Sequence, residues 1–262
     1  MTLAGPPELP DEERVTYRDL PYGRVRSRTV GRRREGMPPV VVVMGMAVAS
    51  YLMPGLAAFA EWTEAHLIEL PGLAGSGDPP YEPDVAGYGA CVADWLDAAG
   101  LGRVVLVGHS SGTQVAAHAA DLRPAWVAGL VLASPTIDPM ARSWTRLVLR
   151  WRLDGRYPTP GLDESHKPEW RRAGLRRLVH VAHVHLQDRL EDVVPRLPMP
   201  VLVLRGHDDR LLSPQWAREL VGSARDGRLL EMPGPHAFPW VAPGAWSPPV
   251  RALAHEVSRP RR

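Results

Sequence analysis

The chain has 262 residues, 45% of them hydrophobic, which suffices for a sizeable core and suits one α/β domain. Its 24 glycines and 28 prolines stay below the roughly 25–30% share of low-complexity chains, so disorder throughout is excluded. A net charge of +2 argues against a dedicated nucleic-acid binder, and a single cysteine, Cys91, rules out an internal disulfide or a thiolate zinc site.

In chain order, residues 1–13 are rich in proline and acid and read as a loose arm, without the basic start and apolar core of a signal peptide. Residues 15–18 and 24–30 are short, polar and alternating, which predicts an exposed antiparallel hairpin around Pro21, Tyr22 and Gly23. A basic turn over 31–39 leads into the valine run 40–43 and Met44, the pattern of a strand buried on both faces of a parallel sheet. The longest apolar run, 40–49, falls short of the roughly 20 residues that span a bilayer. A soluble, cytoplasmic protein is therefore expected.

The alternation then becomes regular. A helix is expected over 54–62 with Pro54 at its start, and a strand over 66–70 before the glycine-rich loop 71–77. A helix over 84–99 should close at Gly100. A strand over 103–107, a helix over 112–120 and a strand over 127–133 follow. Strand 200–205, helix 214–221, strand 228–231 and helix 244–257 complete the chain. This order predicts an α/β fold: a mostly parallel central sheet covered by helices on both faces.

Residues 136–195 break the rhythm with no strand-like run, and predict a helical insertion. Trp144, Leu147, Val148 and Trp151 fit one helical face, expected to pack towards the sheet edge. Leu175, Leu178, Val179, Ala182 and Leu186 fit another. Between Arg142 and Arg177 stand ten basic and four acidic residues, a net of +6, which leaves the remainder of the +2 chain at −4. Such a segment is either an ordinary solvated face or a field that draws in an anionic partner. His180, His183 and His185 are spaced so that one helical face cannot present all three, so no metal site is expected.

The chemistry concentrates in Gly108-His109-Ser110-Ser111-Gly112, between a predicted strand and a predicted helix. That is the setting of a G-x-S-x-G nucleophile elbow. A strand turning sharply into a helix strains its central residue, and flanking glycines remove the side chains that would clash. Ser110 is then presented at the carboxyl edge of the sheet, but it needs a base near neutral pH. Downstream, the strand 201–205 runs into Gly206-His207-Asp208-Asp209-Arg210, so a carboxylate stands at the same edge. Further on, Glu231-Met232-Pro233-Gly234-Pro235-His236 places a histidine after a short strand. His109 reads as packing within the elbow and His207 as a turn residue.

With GHSSG, RGHDDRLLSP and MPGPH in this order, the sequence resembles a small, single-domain, lidded α/β-hydrolase over roughly residues 15–258. The resemblance implies the α/β-hydrolase fold, with a core of 1–135 and 196–262 and a helical lid over 136–195. It implies Ser110 as nucleophile, His236 as base and Asp209 as the acid, three residues after the motif's glycine. Asp208, otherwise a turn residue, and Asp138, where a minority of the family carries its acid, are the alternatives. An oxyanion hole is implied from the main-chain N–H groups of Ser111 and Met46. Many members carry His-Gly where this chain has Met44-Gly45, which puts the loop's geometry in question rather than its donor. Tyr51, Leu52 and Met53 read as core, with some of the methionines available to line an acyl pocket.

The implied reaction is hydrolysis of an ester, thioester or lactone through an acyl-enzyme, with no cofactor and no metal. The serine at the elbow argues against relatives that use an aspartate there to open epoxides or remove halides. Lyases, cyclases and cofactor-free peroxidases of this fold keep the same triad and stay open as alternatives, as does a binding protein. The expected partner is a small-molecule acyl substrate, anionic or carrier-bound if the basic insertion steers it. Neither nucleic acid nor membrane is expected as a partner, and the oligomeric state is not legible.

Overall fold

The computed structural model describes residues 13–259; the arm expected over 1–13 lies almost wholly outside them. The elements run β1 (Arg14–Leu20), β2 (Gly23–Val30), β3 (Val40–Val43), α1 (Met53–Ala60), β4 (Ala65–Glu69), α2 (Val85–Ala99), β5 (Val104–His109), α3 (Gly112–Leu122) and β6 (Val127–Ala133). Then follow α4 (Trp144–Asp154), α5 (Leu162–Gln187), α6 (Leu190–Val193), β7 (Val201–Gly206), α7 (Pro214–Ser223), β8 (Gly227–Met232), α8 (Phe238–Val241) and α9 (Ser247–Ser258).

Eight strands form one sheet in the order β1-β2-β4-β3-β5-β6-β7-β8. The β1–β2 and β2–β4 pairs are antiparallel and the rest are parallel. All four valines of β3 and every residue of β5, β6 and β7 are buried, as continuous apolar runs between two helical layers require. From β3 the chain steps to β4 on one side and later to β5 on the other. The sheet therefore reverses its winding between β3 and β5, which opens a crevice outside their carboxyl ends. Val43 pairs with Gly108, and His109 with Ala133, so the loops leaving β3, β5 and β6 emerge at one level.

Local chemistry sets the boundaries. The Asp84 side chain accepts the Gly87 N–H at 2.7 Å to start α2, and Gly100, at φ 63°, ends it. The first hairpin forms antiparallel as its alternation predicts, with β1 largely exposed, but its second strand is not exposed. β2 joins the main sheet, and Ser27, Arg28 and Thr29 are buried. Each has a partner: Ser27 with Thr16 at 2.8 Å, Thr29 with His66 at 2.9 Å, and Arg28 with both carboxylate oxygens of Glu13 at 2.6 and 2.8 Å. Polar residues are buried at little penalty when paired in this way.

Between β6 and β7 all the helices belong to the insertion. No residue of α4 is fully buried, and Trp144 and Trp151 are 43% and 55% exposed; of the predicted apolar face only Leu147 packs inward, against Ile137, Ala141 and Leu186. Polar ties fix it as well, including Arg150 to Asp138 at 2.7 Å, while Trp151 meets the edge of Trp170. Gly174, at φ 75° and ψ 156°, breaks α5 into two pieces. The first is held by Glu169, which accepts the Ala49 N–H and the Ser50 hydroxyl, each at 2.6 Å. The second is held by Arg177, which reaches Glu82, Asp78 and the Gly72 carbonyl, and by the His180 Nε2–H on the Pro83 carbonyl. The break leaves Leu175 and Val179 exposed while Ala182 and Leu186 are buried. Among the described residues no helix is long and apolar enough to cross a membrane, and no group of three or more His, Cys, Asp or Glu is arranged to hold a metal.

Candidate active site

Ser110 sits between β5 and α3 at φ 55°, a left-handed conformation that a non-glycine residue adopts only when its surroundings impose it. Its N–H is held by the Ala133 carbonyl at 2.9 Å, and its own carbonyl accepts the Thr113 hydroxyl at 2.6 Å. The flanking glycines are obligatory here. A Cβ on Gly108 would lie 2.4 Å from the Gly112 carbonyl oxygen, and one on Gly112 2.4 Å from that of Met44.

The loop after β8 brings His236 to this serine, with Nε2 2.8 Å from Ser110 Oγ. Its Nδ1 lies 3.0 Å from Asp209 Oδ2. A carboxylate only accepts, so Nδ1 carries the proton and Nε2 is free to accept from the serine hydroxyl. The other oxygen of Asp209 accepts the N–H groups of Leu211 and Leu212 at 2.8 and 2.9 Å, which fixes the carboxylate plane. Burial works against the Asp209 charge. The His236 ring and the Leu212 N–H outweigh it and hold the carboxyl below its ordinary range. Burial likewise opposes the His236 imidazolium, but Asp209 and, beyond it, Asp154 keep that ring's pKa above the ordinary value.

The alternative carboxylates are engaged elsewhere. Asp138 is buried and bonds Arg150 at 2.7 Å and the N–H groups of Met140 and Ser213. Asp208 pairs with His207 at 3.3 Å near the surface.

The loop after β3 closes over the elbow. Gly45 permits this, since a Cβ there would meet the His109 carbonyl oxygen at 2.7 Å. Met46 and Ala47 follow at φ 31° and 63°, two strained residues in succession. The Met46 N–H points at the elbow and donates to Ser111 Oγ at 2.7 Å. Its carbonyl accepts the Trp170 indole N–H at 3.0 Å, so the insertion braces this loop from outside. The side chains of Met44, Leu52 and Met53 are core.

Three features escaped sequence reasoning. The Ser111 hydroxyl, beside the main-chain N–H to which the sequence points, is the acceptor of the Met46 N–H. His109 is more than packing: its Nε2–H donates to the His236 carbonyl at 3.0 Å, and Tyr51 donates to its Nδ1. Burial and the neighbouring His236 push the His109 pKa down to about 3, which keeps it neutral for this double role. Asp154, the last residue of α4, accepts the main-chain N–H of His236 at 3.2 Å. No motif marks it, because its partners are distant in sequence.

A sequence profile of the Alpha/beta hydrolase family matches residues 16–247. A monoglyceride lipase from Mus musculus is 29% identical over 140 residues, which span 47% of this chain and 46% of the mouse protein. The match thus covers less than half the length of that relative. Among solved structures, a thermophilic esterase from Thermogutta terrifontis superposes with a TM-score of 0.77 at 18% identity, covering 94% of this chain and all of the other. A membrane phospholipase A described as a bacterial virulence factor gives a TM-score of 0.76 at 17% identity, covering 94% and 87%. At these identities the superpositions speak to the fold.

Proposed function

Because this chain belongs to the alpha/beta hydrolase family, we propose that it is a serine hydrolase that cleaves an ester, thioester or lactone through an acyl-enzyme on Ser110. The observation that carries this reading is the continuous chain of contacts Ser110 Oγ–His236 Nε2 and His236 Nδ1–Asp209 Oδ2, at 2.8 and 3.0 Å. His236 takes the serine proton as Oγ attacks the acyl carbonyl, then returns it to the leaving group. Water, deprotonated by the same ring, cleaves the acyl-serine and releases the acid. Asp209 holds the tautomer and balances the imidazolium that forms in each half-reaction. The oxyanion is met by the Ser111 N–H and by the Met46 N–H, which exchanges Ser111 Oγ for the substrate oxygen. The insertion serves as a cap whose arginines favour an anionic or carrier-bound acyl group.

The relatives' names point to ester bonds in lipids and smaller esters. The test is turnover of a panel of aryl esters, acyl thioesters and lactones by the purified full-length chain. Release of free acid from at least one class is expected. A stable, folded protein that turns over none of them contradicts the reading in favour of the non-hydrolytic chemistries of this fold.

A further inference from the structure

We propose that Asp154 is a positioning residue for the Ser110–His236–Asp209 array, supplied by the insertion. It clamps together the loops that carry the base and the acid and sets a second negative charge close to His236. This rests on the serine-hydrolase reading above.

One oxygen carries the clamp. Asp154 Oδ1 accepts the His236 N–H at 3.2 Å and the Arg210 N–H at 3.0 Å. Arg210 directly follows Asp209, so the acid's loop and the base's loop, 27 positions apart, meet on a single atom of a third segment. On its other side the His236 main chain is pinned through its carbonyl by His109. With N–H and carbonyl both held, the imidazole keeps only side-chain rotation, and Asp209 and Ser110 fix that. Catalytic geometry tolerates little error, so a residue that sets the separation of two triad loops acts on rate without touching substrate.

The charge has a role of its own. Asp154 forms no ion pair with arginine or lysine among the described residues. Burial raises its pKa, against which the nearby His236 and the two N–H donors work. A carboxylate kept without a cation beside a histidine that becomes cationic during turnover favours the transition state over the ground state. The groups facing His236 are Asp209 from the β7 loop, Asp154 from α4, and from the elbow Ser110 and the neutral His109. Asp154 is the one contributed by the insertion. Displacement of α4 would release both loops together, which couples the position of the insertion to the competence of the base.

The experiment compares Asp154→Asn and Asp154→Ala in the full-length chain, reading kcat, KM and the pH profile of kcat/KM on a neutral ester that the wild type turns over. Circular dichroism confirms that each variant is folded. In wild type the acid limb reports His236, which must be neutral to accept the Ser110 proton. Removing a charge that raises its pKa moves that limb to lower pH in both variants. Asparagine keeps an oxygen for the two N–H groups, so its loss of kcat is the smaller. Alanine loses clamp and charge, and kcat falls about tenfold or more at little-changed KM. A limb that stays in place in both variants overturns the proposal, whatever happens to kcat, since a purely structural role would not move it. Unchanged kcat in both overturns it as well. Should wild type turn over no ester, thioester or lactone, the serine-hydrolase reading fails and this inference with it, an outcome distinct from either variant result.

Discussion

Two carboxylates stand where a relative of this family can keep its acid, and their surroundings differ. Asp209 faces the His236 ring, with its second oxygen fixed by main-chain donors. Asp138 spends its oxygens on Arg150 and on the turns around Met140 and Ser213. Asp209→Asn should lower kcat by roughly 10⁴-fold, by precedent from serine proteases, because the amide holds the wrong tautomer. Asp138→Asn should leave the rate within a few-fold and instead destabilise the fold by about 1–3 kcal/mol, through its weakened bond to Arg150. Steady-state kinetics and denaturant melts on the same preparations check both; the opposite pattern would move the acid to the earlier strand. At this scale Ser110 and His236 were legible because a strand-to-helix turn and a loop histidine leave a short signature. Choosing Asp209 over Asp208 and Asp138 needed the family pattern. The Ser111 hydroxyl, His109 and Asp154 were not legible, since what gives each its role is a partner from a remote segment.

Among the elements, all eight described strands declared themselves, the central ones through runs of Val and Leu that suit burial on both faces, and β1, β2 and β8 as short segments towards the sheet's ends. β2 was misjudged as exposed because, beside its core valines Val25 and Val30, it buries polar residues whose partners Glu13, Thr16 and His66 lie on other segments. The insertion was legible as helical but not in its orientation. Periodicity showed that Trp144 and Trp151 share a face, yet both stay exposed while α4 is held by Leu147 and by polar ties such as Arg150 to Asp138. One glycine, Gly174, splits α5 and turns Leu175 and Val179 outward, which a helical wheel cannot anticipate. On these helices Arg152, Arg171, Arg172 and Arg176 are exposed and have no ion-pair partner among the described residues. If they steer an anionic substrate, kcat/KM for an anionic ester should fall from 0.1 M to 1 M salt, as the Debye length shortens from about 10 Å to about 3 Å. A matched neutral ester should change little. Equal responses would make these arginines an ordinary solvated surface.

For the molecule as a whole, the site is a consequence of sheet topology. Because the winding reverses between β3 and β5, the Met46 loop and the Ser110 elbow face each other across one crevice. Parallel pairing then delivers the Asp209 loop after β7 and the His236 loop after β8 at the same edge. Four loops from separate parts of the chain converge there, and the insertion adds Trp170 and Asp154 from above. This fold hosts many chemistries, so the function rests on the reactivity of one atom. The most direct measurement is a fluorophosphonate probe on the full-length protein, with the adduct located by peptide mass spectrometry. Stoichiometric labelling at Ser110 is expected, abolished in Ser110→Ala and strongly slowed in His236→Ala while both variants remain folded. A folded wild type that resists the probe, or that carries the adduct on another residue, would contradict an activated Ser110.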